Sequence, residues 1–388
     1  MIYFDNACTS FPKPKCVIEA VSDALGSFGN INRASHSLEY KAEEMVYCAR
    51  ELICEFFNGP KAGNVIFTKS VTESLNTIIC GLLKPGDNVL ISGMEHNAVT
   101  RPLASLAKSG ITVSQIPCDS EGRLLLDRFE EMITSNTTAV ILTGASNVTG
   151  TVMPVQHVGK LCKKHHLKFI TDAAQSAGHL PIDMNADCID ALCFTGHKGL
   201  MGPQGIGGFI LTDEMVEQVK PLICGGTGSL SDKSTMPTFC PDKYEAGTLN
   251  IPGIAGLRAA VEYIGKLSLE NIYDHEIKLT QHFLAGIDPL LNDNLLVKCG
   301  PHTLTDQVGV VSLSCTKVDN AVVAEALDRQ YQIMTRVGLH CAPEAHKTVG
   351  TFPLGTIRFS FGFFNTEEEI DLAVSALTNC LTGGLLCL

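Results

Sequence analysis

The sequence has 388 residues, 45% of them hydrophobic and only 18% charged, with a formal net charge of −12 and a mean hydropathy of +0.17. A chain of this length divides into about two domains with a sizeable core. Its acidity and lack of long lysine/arginine runs exclude nucleic acid as a partner, and no apolar stretch reaches the roughly 18 residues that a membrane span needs.

The chain opens on "MIYFDNACTS", with neither a basic nor an apolar leader region, so a cytoplasmic location is expected. Sixteen cysteines are scattered without any C-x-x-C pair, which argues against a zinc ribbon or a thioredoxin-type site and for reduced thiols. From about residue 60 to 215, short apolar runs alternate with amphipathic stretches. "NVIFT" (64–68), "NVLIS" (88–92), "TVSQIP" (112–117), "AVILTGAS" (139–146), "KFITDAA" (168–174), "ALCFTG" (191–196) and "GGFILT" (207–212) read as strands. "TESLNTIICGLL" (72–83) and "VQHVGKLCKKHH" (155–166) read as helices between them. This alternation predicts an α/β domain with a mainly parallel sheet, whose ligands gather at the carboxyl ends of the strands. After about residue 255, "GIAGLRAAVEYIGKLSLENIYDHEIKLTQHFLAGI" reads as one long helix, followed by the strands "GVVSLSCT" and "TIRFSFG" and a last helix from Thr366. A second, smaller α+β domain is expected there.

Polar residues fall just past several predicted strands: His96, Asn147, Asp172 and Lys198. Each alone suits an ordinary turn, and Lys198 alone suits a solvated loop. Together they place an imidazole, an amide, an acid and an amine along one sheet edge. In "FTKSVTESLN", Ser70, Thr72 and Ser74 sit where a helix begins, a pattern that suits either a phosphate site or a simple N-cap. A phosphate anchor, a lysine and a strand-end aspartate together match pyridoxal phosphate, whose ring needs an acid at its nitrogen to remain an electron sink. "GPQGIGG" leads into a strand and is a poor dinucleotide fingerprint, and neither a P-loop nor a G-x-S-x-G elbow is present.

"YFDNACTS", "FTKSVTESLN", "MEHNAV", "SNVTGTVMP", "TDAAQSAGHLPIDM", "FTGHKGLMGPQGIG", "YEAGTLN" and "RVGLHCAP" occur in this order across the whole chain. The set resembles the class V aminotransferase-fold enzymes, and within them the cysteine desulfurases and selenocysteine lyases of the group II type. The resemblance implies a homodimeric fold-type I pyridoxal 5'-phosphate enzyme: a large domain with a mainly parallel seven-stranded sheet over 15–255, and a small α+β domain from 1–14 and 256–388. It also implies that Lys198 binds the cofactor covalently, Asp172 pairs with the ring nitrogen, Gln175 bonds the ring's phenolic oxygen and His96 stacks on the ring. Thr72, Thr195 and His197 would hold the phosphate, with Thr248 reaching it from the neighbouring subunit, and Glu73 and Asn147 complete the cofactor set. Asn147, Arg358, Arg33 and His36 would receive the substrate, Arg358 forked onto its carboxylate. Cys341 would take sulfur as a persulfide, favoured by a cationic loop containing Arg336, His340 and His346. "MEHNAV" departs from many relatives in having Asn97 where they have a second histidine.

The expected reaction converts L-cysteine to L-alanine and leaves a persulfide on Cys341, which an acceptor protein or a small thiol discharges. Lys198 or His96 would remove the α-proton. Release of selenium from L-selenocysteine is the alternative, and a non-catalytic sulfur carrier or an aminotransferase suits the residues less well.

Overall fold

A short strand, β1 (Ile2–Tyr3), leads into helices α1 (Lys15–Ser27) and α2 (Ser37–Phe56). The seven strands β2 (Val65–Thr68), β3 (Asn88–Ser92), β4 (Thr112–Ile116), β5 (Thr137–Thr143), β6 (Lys168–Asp172), β7 (Ala191–Thr195) and β8 (Gly207–Leu211) then build one sheet. Between them run α3 (Val71–Leu82), α4 (Asn97–Ala107) and α5 (Val155–Lys164), and after them come α6 (Asp213–Gln218), α7 (Ile251–Leu267) and α8 (Leu269–Asn292). The remainder holds β9 (Leu296–Cys299), β10 (Val310–Cys315), α9 (Asn320–Tyr331), β11 (Ile333–Met334), β12 (Arg336–Gly338), α10 (Pro343–Thr348), β13 (Thr356–Ser360) and α11 (Glu367–Asn379). This computed structural model describes residues 1–31 and 36–384.

The large sheet has the order β2-β8-β7-β6-β5-β3-β4, with only β8 antiparallel to its neighbours. Its inner strands are near-continuous apolar runs because both faces are covered, whereas the edge strand β4 leaves Thr112, Val113 and Gln115 exposed. Leu90, Val140, Leu142, Phe169 and Leu192 enter one core cluster, while Val89, Ile91, Ala139, Ile141, Ile170 and Ala191 enter another. Successive side chains of one strand thus feed opposite layers. Leu75 and Ile78 of α3 and Val99 and Leu103 of α4 close one face. Val46 and Ile53 of α2 and Ile254, Leu257, Val261 and Ile264 of α7 help close the other, so this core draws on residues beyond 255.

A four-stranded antiparallel sheet, β12-β13-β10-β9, carries the second core. Val311, Leu313, Ile357 and Phe359 pack there against Phe283 of α8, Leu327 of α9 and Leu377 of α11. The long helix expected over this region is two helices. Ser268, at φ 68°, ends α7 through its N–H to the Ile264 carbonyl, and its hydroxyl accepts from the Asn271 N–H to cap α8. At the other end of the chain Thr366 and Glu369 form a reciprocal capping box that starts α11.

Parallel strands β5, β6 and β7 end on one edge, at Thr143, Asp172 and Thr195. The N-terminal segment reaches that edge as well: β1 pairs with β11, Asp5 bridges to Ser360, and Ser10 N–H donates to the His197 carbonyl at 2.9 Å. Among the described residues, no helix is long and apolar enough to cross a membrane.

Candidate active site

Lys198 follows β7 on the turn that leaves the sheet edge. Burial lowers its pKa and Arg358 pushes the same way, against Asp172, Cys8 and Cys341. Asp172 closes β6, is 2% exposed, and accepts from the Ala174 N–H at 2.9 Å. Burial raises its pKa, while the Ala174 N–H and Lys198 oppose that shift. Beside them, Thr195 Oγ1 and His197 Nδ1 are buried without a protein partner among the described residues. His197 is pushed down to about 4 by burial and by the Lys198 and Lys13 charges, so its ring is neutral near pH 7. Its carbonyl takes hydrogen bonds from Ser10 N–H, Thr9 Oγ1 (3.1 Å) and Lys13 Nζ (2.8 Å), which fixes the peptide ahead of Lys198.

His96 is the N-cap of α4, its Nδ1 accepting from the Ala98 N–H at 3.0 Å. Since a backbone N–H can only donate, the ring proton of neutral His96 sits on Nε2. Burial, then the Lys198, Arg101 and Arg358 charges, lower its pKa to about 4. Below it, the fully buried Glu95 accepts from Ser92 Oγ at 2.6 Å and from the Thr143 N–H at 3.0 Å. Burial pushes Glu95 up to about 8, and it ties the start of α4 to the end of β5.

Arg358, on β13 and 2% exposed, donates through Nη2 to Asp5 Oδ1 at 2.7 Å and through Nη1 to the Asn147 carbonyl at 2.9 Å. Its Nε is buried without a partner among the described residues. Asn147 Nδ2 in turn donates to the His340 carbonyl at 2.7 Å, and Asn97 N–H donates to the Cys341 carbonyl at 2.8 Å. Cys341 is therefore carried by a loop bonded to the α4 start and to Asn147, with its side chain exposed. His340 and Cys341 take left-handed conformations, at φ 48° and 57°. Gln175 donates through Nε2 to the Ala7 carbonyl at 2.9 Å.

The expectation of a loop made cationic by its histidines is not met. His340 and His346 are buried, at 6% and 0% exposure, and burial drives them to about 2 and about 4. Both rings are neutral at pH 7, and Arg336 is the charged member of the three. The other expected site residues among those described lie on different elements. Thr72 and Glu73 lie in the first turn of α3, where Ser70 is the N-cap and Glu73 accepts from the Lys69 N–H at 2.9 Å. Thr248 is exposed and lines a small cleft with Asn30, Thr227 and Glu245. His36 is exposed and caps α2 through Nδ1, and Arg33 lies outside the described residues. Asp5, Cys8, Lys13 and Glu95 were not singled out from sequence, although Asp5, Cys8 and Glu95 lie inside the "YFDNACTS" and "MEHNAV" motifs.

A mainly parallel sheet with a desolvated lysine, a buried carboxylate and two orphaned polar atoms on its carboxyl edge defines a fold-type I pyridoxal-phosphate enzyme. The orphaned Thr195 and His197 atoms suit a phosphate, and the buried Asp172 suits a protonated ring nitrogen. Residues 2–373 match the aminotransferase class-V model, and the chain belongs to that family. A Pyrococcus abyssi protein named "Probable cysteine desulfurase" is 35% identical over 97% of this chain and 93% of its own length. A Methanothermobacter thermautotrophicus protein of the same name is 32% identical, covering 96% and 92%. The apo structure of a cysteine desulfurase from Thermococcus onnurineus NA1 superposes with a TM-score of 0.92 at 34% identity, covering 99% of this chain and 95% of that one.

Proposed function

We propose that this chain is a pyridoxal-phosphate-dependent cysteine desulfurase that converts L-cysteine to L-alanine and leaves a persulfide on Cys341. The observation that carries this reading is the bond from Asn97 N–H to the Cys341 carbonyl, which joins the exposed thiol's loop to the His96 end of α4 beside Lys198. Lys198, Asp172, Gln175, His96, Asn147, Thr195 and His197 would hold the cofactor, with Thr72 and Glu73 at the α3 N-terminus. When bound, the cofactor supplies an aldehyde for the substrate amine and a ring that accepts the electron pair released at Cα.

The chain's own residues have separable tasks. Arg358 would orient the substrate carboxylate with donors that Asp5 and Asn147 now occupy. Lys198 takes the Cα proton, because desolvation raises its share of free amine. His96 is unsuited to that step: its Nδ1 lone pair is committed to Ala98 and its Nε2 already carries a proton. Cys341 Sγ then bonds to the substrate sulfur as the Cβ–S bond breaks. Cysteine and the enzyme thiol together become alanine and enzyme persulfide, with atoms and electrons in balance. The relatives described are named for cysteine, and no observation favours selenocysteine.

The same reading includes a homodimer in the cytoplasm and discharge of sulfur to a small thiol or an acceptor protein. Ile18 and Leu25 of α1, Tyr40 and Tyr47 of α2, and Leu222 and Ile223 are all exposed apolar groups suited to a partner subunit. The exposed Thr248 could then serve the partner's site. The test is to treat holoenzyme with L-cysteine, quantify alanine and map persulfide by mass spectrometry. Alanine with sulfur on Cys341, both lost in Cys341→Ser, supports the reading; full desulfuration by Cys341→Ser overturns it.

A further inference from the structure

Cys8 is the second cysteine that the fold brings to Lys198. Its backbone N–H donates to the Asp5 carbonyl, and two residues on Ser10 N–H holds the His197 carbonyl, so the turn is pinned on both sides. Arg336 Nη1 lies 3.1 Å from Cys8 Sγ and 3.6 Å from Asp5 Oδ2. Arg336 opposes Arg358 in the β12–β13 register, and β12 runs straight into the loop that bears Cys341. Cys8 and Cys341 also act electrostatically on the same two cations, Lys198 and Arg336. The buried Arg358 Nε adds an unused donor to this group. Two thiols, one exposed and one half-buried beside a guanidinium, thus share one site.

We propose that Cys8 is a second sulfur-handling thiol of this site, which takes the outer sulfur from the Cys341 persulfide; this rests on the desulfurase reading above. Cys8 thiolate attacks the outer sulfur, a Cys8 Sγ–S bond forms, and the Cys341 Sγ–S bond breaks. Cys341 leaves as thiolate, the sulfane sulfur keeps its oxidation level, and no further reactant is needed. The exposed Cys341 is thereby free for another turnover while the sulfur rests on the more sheltered Cys8, with Arg336 facing it.

The test uses holoenzyme with excess L-cysteine and no reductant, read by the alanine burst and by peptide mapping of trapped persulfides. The wild type is expected to release about two alanines per chain and to carry sulfur on both Cys341 and Cys8. In Cys8→Ala and Cys8→Ser the burst falls to about one, with sulfur on Cys341 alone. In Cys341→Ser no sulfur reaches Cys8. A wild-type burst of one with sulfur only on Cys341 overturns the relay, as does equal labelling of the exposed Cys224, which marks chemical scrambling. Wild-type protein without sulfur on Cys341 overturns the desulfurase reading, and the relay with it. The wild-type peptide map decides even if the Cys8 variants fail to fold.

Discussion

Asp5 Oδ1 lies 2.7 Å from Arg358 Nη2, so an internal carboxylate occupies the guanidinium expected to receive the substrate's carboxylate. Asp5 and substrate therefore compete for one buried cation. Arg358→Ala should lower kcat/KM by roughly 10- to 150-fold, the equivalent of about 1.5–3 kcal/mol for a charge-assisted bond. Arg358→Lys should recover little, since an ammonium lacks the planar fork. Asp5→Asn should lower KM for cysteine while costing about 1–3 kcal/mol of stability, because the buried guanidinium loses its counter-charge. Unchanged steady-state kinetics in Arg358→Ala would place the substrate carboxylate elsewhere.

His96 combines a helix cap with a place beside Lys198, and the two roles separate by substitution. His96→Asn keeps a side chain able to cap α4, whereas His96→Ala removes the cap at a cost of roughly 0.5–2 kcal/mol. Both should lose turnover, but only His96→Ala should melt early. Lys198→Ala should abolish exchange of the substrate Cα hydrogen with deuterated solvent, while His96→Asn should retain some exchange. Borohydride reduction should leave the cofactor on the residue-198 peptide in wild type and in both His96 variants, and never in Lys198→Ala. Persistent exchange in Lys198→Ala would move the proton transfer to another residue.

Much of this was legible in the sequence because the large sheet is buried on both faces. Runs such as "NVLIS" and "ALCFT" have an unbroken apolar middle that stops at a small polar residue, and the structure places those strands at Asn88–Ser92 and Ala191–Thr195. The strand-end positions of Asp172 and Lys198 followed from that. Ser268 was harder: the helical repeat continues on both sides, and neither Gly nor Pro marks the positive-φ break. The Asp5–Arg358 pair joins residues 353 apart, a separation at which no local pattern operates. His340 and His346 misled because their charge depends on burial, which neighbouring letters do not reveal.

Stability should respond to pH through groups that the fold holds neutral. His96 and His197 titrate near 4 in the folded chain, below the unfolded value of about 6.5. The unfolded state therefore binds more protons between about pH 4 and 6.5, and stability falls as pH drops through that window. Glu95 has the opposite sign. With a folded pKa of about 8 against about 4.3 unfolded, it binds the extra proton when folded, so its contribution declines from about pH 4.3 to 8. Glu95→Gln should remove this fall from about pH 4.3 to 8 in a melting-temperature profile of the holoenzyme, steepening the acid rise and flattening the alkaline side, and leave the profile below about pH 4 unchanged. An unaltered alkaline slope would mean that Glu95 ionises normally.

Thr248 offers the test of a site shared between subunits. It is exposed and lines a cleft with Asn30, Thr227 and Glu245, and on the proposed reading it reaches the cofactor phosphate of a second chain. Lys198→Ala should be inactive at every site, and Thr248→Val should weaken cofactor retention, since it removes one hydroxyl worth about 1 kcal/mol or more at a charged acceptor. When the two variants are unfolded and refolded together, a mixed dimer pairs an intact Lys198 with an intact Thr248 in one of its two sites. Cofactor titration of that mixture should reveal a fraction of sites with wild-type affinity, and cysteine turnover should rise above that of either variant alone. The fraction should follow the mixing ratio as random pairing dictates. A mixture that merely averages its two parents, or a dilute monomer that retains full activity, would confine each site to a single chain.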